Sequence, residues 1–227
     1  MRKRTYGARA RSKSAAAKRQ KTLARVPRLG IPSAASRGRY VKAKLAYSTH
    51  VNIDPGLSTC GVHVFAANGL HDPDITGIGY QPTGFDQYMA LYNEYVVTKS
   101  YIKVCAVNTD PNSQQMVGIA VLDLPTTSSD PRVYLNSGTC KWGLVDVYKS
   151  GSTLSLTHEV DIRSMSTQDI FNENSYAGTV STNPPDTHHW HVFVAPTDFA
   201  SNTAAVACIV YIEYEVYFRD PALTANS

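Results

Sequence analysis

At 227 residues, with 43% hydrophobic content and a net charge of +4, the chain can bury one sizeable core beside a polar segment. No apolar run approaches the roughly 18 residues of a spanning helix, so membrane insertion is not expected. The charged N-terminus also lacks the apolar stretch of a secretory signal. The modest net charge hides a division. Residues 1–53 hold 15 Lys or Arg and no acid, whereas residues 54–227 hold 7 Lys or Arg and all 18 acids, a balance of −11. A basic arm joined to an acidic body reads as a polyanion-binding tail. Its natural ligand is a nucleic-acid phosphate backbone, bound by counterion release without sequence readout.

Residues 1–38 form that arm and residues 39–227 a single β-rich body. The arm mixes Arg, Lys, Ala, Ser and Gly with almost nothing to bury, so it cannot offset its ordering entropy and is expected to be flexible in the free chain. A transient helix from Ser14 to Leu23 is expected where bound phosphate removes the charge repulsion, because Ala15, Ala16 and Ala17 are strong helix formers. The candidate nucleic-acid-binding residues are Arg2, Lys3, Arg4, Arg9, Arg11, Lys13, Lys18, Arg19, Lys21, Arg25 and Arg28. Two clusters, Arg2-Lys3-Arg4 and Lys18-Arg19-Gln20-Lys21, stand 13 residues apart, as in a bipartite nuclear localisation signal. Arg2, Lys3, Arg4, Lys18, Arg19 and Lys21 are the candidates for it. The plainer alternative is a solvated tail that aids solubility.

From Arg39 onward the pattern has the two-residue period of strands, broken by Gly, Pro, Asn and Asp. Strands are predicted over 40–53, 59–66, 95–107, 115–124, 139–148, 153–162, 189–195 and 204–218. In the first, Val41, Ala43, Leu45 and Tyr47 share a face opposite Lys42 and Lys44. In the third, Val96, Ile102, Val104 and Ala106 are set opposite Lys99, Tyr101 and Lys103. In the last, a row from Val206 to Phe218 alternates with Tyr211, Glu213, Glu215 and Tyr217. Eight such strands suit an all-β, single antiparallel jelly-roll sandwich. The order B-I-D-G in one sheet and C-H-E-F in the other would set Glu213 and Glu215 between lysines of the first and third strands.

Three connections are long: 67–94, 125–138 and 164–188. Connections of that length in a compact domain are usually functional or packed against something. In the first, Thr83-Gly84-Phe85-Asp86 looks like a capping-box helix start, and Phe85, Tyr88, Met89 and Tyr92 fall on one helical face that would plug the sandwich. In the third, Phe171 and Tyr176 are large apolar groups that a solvated loop does not need, and they are the candidate subunit-interface residues.

Catalytic chemistry is not expected, nor any cofactor or metal. There is no nucleophile elbow and no phosphate-cradling Gly loop. Cys60, Cys105, Cys140 and Cys208 are too far apart for zinc or a redox dithiol, and suit small hydrophobes in strands of a reduced intracellular protein. His188, His189 and His191 read as a strand start at a subunit surface. They lack the following Glu of a cupin metal strand. Asp72, Asp74, Asp110 and Asp130 sit in Pro-containing turns that carboxylates favour, with calcium at a subunit junction as the alternative.

A basic arm leading straight into an eight-stranded jelly roll resembles the coat proteins of small icosahedral viruses. The segment from Gly79 to Tyr88, GYQPTGFDQY, then Tyr92 and Tyr95 to Ser100, resembles the helix-and-strand segment between strands C and D of one group. These are the capsid proteins of circular Rep-encoding single-stranded DNA viruses, the circovirus-like group. The run Gln81-Pro82-Thr83-Gly84-Phe85-Asp86-Gln87 carries the likeness; elsewhere it lies in architecture and length. The arm is poorer in Arg and richer in Ala and Lys than typical circovirus arms.

The resemblance implies a virion shell of sixty identical subunits (T=1) around circular viral single-stranded DNA. It also implies delivery to the host cell nucleus through an import receptor, and a host cell-surface receptor that no motif here identifies. Sixty arms, each with the 12 Lys or Arg of residues 1–38, bring about 720 positive charges, roughly a third of the phosphates in a genome of about two thousand nucleotides. The alternatives are a coat protein of a small single-stranded RNA or satellite virus, or a cupin-like cellular jelly-roll protein.

Overall fold

The structure is a computed structural model, and it describes residues 40–148, 151, 153–167 and 169–222. The predicted helix at Ser14–Leu23 lies outside these. Chain order is β1 (Tyr40–Ile53), β2 (Gly61–Ala66), α1 (Phe85–Met89), β3 (Tyr92–Asn108), β4 (Gln115–Leu122), α2 (Pro131–Leu135) and β5 (Lys141–Val145). Then come β6 (Leu154–Asp161), α3 (Ile162–Met165), a 3-10 turn (Asn174–Tyr176), β7 (His189–Pro196) and β8 (Val206–Pro221). Among the described residues no helix is long and apolar enough to cross a membrane.

The strands form two four-stranded sheets in the orders β1-β8-β3-β6 and β2-β7-β4-β5, with antiparallel neighbours throughout. Lettered along the chain, these are B-I-D-G and C-H-E-F. The fold is an all-β, eight-stranded jelly roll. Period-2 patterning makes this arrangement stable, because each strand presents one apolar face to the space between the sheets. Leu45 and Tyr47 from β1, Ile102 and Val104 from β3, Val117 and Ile119 from β4, Trp190 and Val192 from β7, and Val210 to Phe218 of β8 meet there. Each fully buried large apolar side chain contributes about 1.5–3 kcal/mol.

Two hydrogen bonds tie the sheets across this core. Tyr214 Oη donates to the Ala66 carbonyl at 2.9 Å, and Trp190 Nε1 donates to Ser100 Oγ at 2.9 Å. The polar ends of two large rings are thereby satisfied where water cannot reach.

Three details depart from the sequence reading. The register of β3 shifts between Val97 and Lys99, and this bulge reverses the faces on its N-terminal side. Tyr95 and Val97 enter the core cluster, while Val96 is buried outside it. A β-bulge adds one residue to one strand, and period-2 counting cannot detect it. Helix α1 is shorter than the apolar spacing implied, because Tyr92 already opens β3. Its N-cap is Gly84 at φ 92°, without a side-chain cap, in place of a capping box. Phe85, Met89 and Tyr92 still join the core, and Tyr88 stacks on Phe218 at 4.5 Å.

The third difference is α2, in a connection read as irregular. Asp130 caps it by accepting from Arg132 N at 2.9 Å, with Pro131 in the first turn. That Asp-Pro pair is a helix start as well as a turn signal. Tyr134 of α2 stacks on Phe193 at 4.9 Å. Around them a second apolar cluster of Cys60, Met116, Ala120 and Ala195 covers the outer face of the β2-β7-β4-β5 sheet.

Candidate nucleic-acid interface and subunit contacts

The eleven arm cations and the six localisation residues among them lie outside the described residues. The body is described from Tyr40, where β1 opens at the edge of its sheet. Whether the body itself could hold phosphate depends on where its own cations go, and most go to acids. On the outer face of the first sheet Lys42 Nζ lies 2.7 Å from Glu215 and Lys44 Nζ lies 2.6 Å from Glu213. The hydrogen bond from Lys42 holds the Glu215 carboxyl below its usual range, and the same contact raises Lys42. Arg163 pairs with Asp161 at 2.6 Å, and Arg219 with Glu94 at 2.7 Å.

The expected pairing of Glu213 and Glu215 with flanking lysines is made, and it is made on the β1 side alone. Lys99 stands opposite Glu215 in register, yet its ammonium turns to Glu159 at 3.5 Å and Asp161 at 3.9 Å on β6. Lys103 faces Tyr211. Among the described residues Lys103 and Lys141 make no ion pair. A phosphate approaching this sheet therefore meets carboxylates that already pair with most of its described cations. By sequence, most of the chain's positive charge with no acid nearby lies in the arm, whose 12 Lys or Arg have no Asp or Glu among them.

Phe171 and Tyr176 are half-buried by their own chain. Phe171 packs edge-on against Tyr217 at 5.1 Å and Tyr40 at 6.3 Å, and its carbonyl accepts from Arg219. Tyr176 packs on the main core and lies 6.1 Å from the His188 ring. Both keep an exposed fraction, but their presence in the connection has an intrachain cause. Exposed large apolar groups lie elsewhere as well: Leu57 before β2, Ile78 and Tyr80 in the first long connection, Leu124 just before the second, Val180 in the third, Ile209 on β8, and Trp142 and Leu144 on the edge strand β5. Trp142 and Leu144 share one face of β5 while Val145 turns inward. The sequence shows that alternation, but their exposure arises because the strand lies at the rim.

The histidines are not at the surface. Trp190 and Val192 point into the core, so His189 and His191 point to the opposite face, where the 125–138 connection covers them. His189 Nδ1 donates to the Asp123 carbonyl at 3.2 Å, and His191 Nε2 to the Leu124 carbonyl at 2.9 Å. His188 Nδ1 lies 2.9 Å from the Asp123 carboxylate. Burial pushes His189 down to about 4 and lowers His191 as well. A cupin-like reading needs imidazoles turned into the barrel interior, where here the Trp190 ring is packed. Sequence spacing gave no sign of this burial, because the cover comes from residues some 60 positions earlier.

Among the turn acids, Asp110 and Asp130 serve the backbone, whereas Asp74 holds a side chain. Asp110 accepts from Asn112 N at 2.8 Å, Ser113 N at 3.0 Å and Ala204 N at 3.0 Å, and Asp74 meets His63 Nε2 at 2.6 Å. The four cysteines are free thiols. Burial raises Cys60 and Cys140 to about 11 and Cys208 to about 12, which keeps them protonated.

No protein-family model matches the chain, and no curated protein matches it. Solved structures of viral coats resemble it. Cocksfoot mottle virus is 8% identical with a TM-score of 0.48, over 81% of this chain and 96% of that chain. The decameric BFDV capsid protein is 10% identical with a TM-score of 0.45, over 80% of this chain and 100% of that chain. The T=1 subviral particle of a Penaeus vannamei nodavirus capsid protein deletion mutant is 12% identical with a TM-score of 0.45, over 83% and 98%.

Proposed function

We propose that this chain is a viral capsid protein that assembles into a T=1 shell of sixty copies. In this reading it packages circular single-stranded DNA through residues 1–38, and the same arm directs nuclear import. The observation that carries the reading is the separation of charge from fold. A B-I-D-G/C-H-E-F jelly roll pairs most of its described cations with its own carboxylates, while 12 Lys or Arg and no acid precede it in the sequence. A body that encloses and a tail that neutralises are the two parts a nucleic-acid container needs. The circovirus-like segment supports the finer assignment: its Phe85 is fully buried and packs edge-on against Tyr95 at 5.4 Å.

Subunit contacts are assigned to the long connections, with Phe171 and Tyr176 among them. Charge alone does not separate DNA from RNA, so the nucleic acid must be identified directly. Particles purified from expressing cells should yield nucleic acid that DNase removes and RNase leaves intact. RNase-sensitive contents would favour the single-stranded RNA coat protein instead.

A further inference from the structure

We propose that His188, His189 and His191 form an acid-released latch. At neutral pH they hold the 123–138 connection over the outer face of the β2-β7-β4-β5 sheet, and on acidification His189 and His191 let it go. The proposal is independent of the capsid reading.

Three imidazoles at the head of β7 grip two consecutive residues, through the Asp123 carboxylate, the Asp123 carbonyl and the Leu124 carbonyl. A carbonyl only accepts, so His189 carries its proton on Nδ1 and His191 on Nε2. The other nitrogen of His191, Nδ1, is buried without a hydrogen-bond partner, as is His188 Nε2. A neutral ring leaves only a lone pair there. A protonated ring would bury an unpaired donor and a positive charge, which costs far more.

The surroundings offer little relief. β2 and β4 present Val64, Ala66, Ala120 and Leu122 opposite His189 and His191. Tyr134 of α2 lies 5.5 Å from the His191 ring. Asp186 and Tyr176 line a cleft of about 630 Å³ beside His188 and His189. His158 lies on the other side of β7, against Trp190. Among the described residues Asp123 is the one carboxylate bonded to the trio. It pairs with His188 at 2.9 Å, whereas His189 and His191 hold only carbonyls, so release is assigned to those two.

The sign follows from burial. His189 is held at about 4 and His191 below its ordinary 6.5, so between pH 6.5 and about 4 an opened, hydrated ring takes up a proton that the closed one refuses. Closure is fully favoured above 6.5. Each pH unit below that raises the open-to-closed ratio by up to about tenfold per histidine. Opening would bare Phe193, Met116 and Ala120, now covered by Tyr134. It would also free Cys60, whose N–H donates to the Ser129 carbonyl at 2.9 Å and whose thiol donates to the Ser128 carbonyl at 3.1 Å.

Hydrogen exchange of the full chain between pH 7.5 and 4.5, expressed as protection factors, tests the latch. Amides of 123–138 should lose about tenfold or more of their protection below pH 6.5, reversibly, while β1, β3 and β8 keep theirs. The double variant His189→Asn, His191→Gln keeps an amide donor at each carbonyl but cannot titrate, and should show no such loss. Cys60 in the unmodified chain should become reactive, to a disulfide reagent active in acid, at a higher pH than core Cys208. Unchanged protection at 123–138, simultaneous loss in the other sheet, a transition that survives in the variant, or Cys60 opening no earlier than Cys208 would overturn the proposal.

Discussion

Gly118 shows how one missing side chain shapes the second apolar cluster. It stands opposite Phe193 on β7, and a Cβ there would come within 2.4 Å of the Phe193 ring. The ring cannot swing away cheaply, because Tyr134 is stacked on its face. Gly118→Ala should therefore destabilise the body by about 1–3 kcal/mol through overpacking, read as a lower denaturant midpoint at unchanged slope. Ser100 is a second such residue. Ser100→Ala leaves the buried Trp190 N–H without an acceptor and should cost about 1–3 kcal/mol. An unchanged midpoint in either variant would mean that the local packing relaxes more freely than these contacts allow.

Among the elements, β1 and β8 were legible in the sequence because long, unbroken alternation permits only one inward face. The order of their sheet was legible too, since Glu213 and Glu215 on β8 find Lys44 and Lys42 on β1. Where the chain departs from period two, alternation no longer gives the faces. The bulge in β3 put the buried Val96 outside the core cluster, and the start of β3 at Tyr92 shortened α1. The histidine site was hidden because its cover comes from a distant connection, and local spacing carries no record of tertiary burial. Of the candidate contact residues, Phe171 and Tyr176 were found as large apolar groups in a loop, but they also pack on their own subunit. Phe171→Asp and Tyr176→Asp should accordingly yield soluble monomers or small oligomers, with a modest fall in the denaturant midpoint. Normal shells from both variants would remove these residues from the interface.

The whole molecule is organised by its charge. The body carries ion pairs that are largely satisfied on its own surface, and screened pairs of this kind contribute little to stability. They matter for what they withhold, since cations paired with carboxylates are poor phosphate ligands. Binding of nucleic acid by the full chain should fall steeply with salt, and binding by a chain lacking residues 2–28 should be weak at every salt concentration. A shallow salt dependence for the full chain would mean that contacts other than the arm's charges dominate. The most direct measurement is the amount of nuclease-protected nucleic acid per particle, compared between the full chain and the chain lacking residues 2–28. Shells are expected from both, with protected nucleic acid only in those of the full chain. Equal protection in the two, or no shells from the full chain, would contradict this expectation.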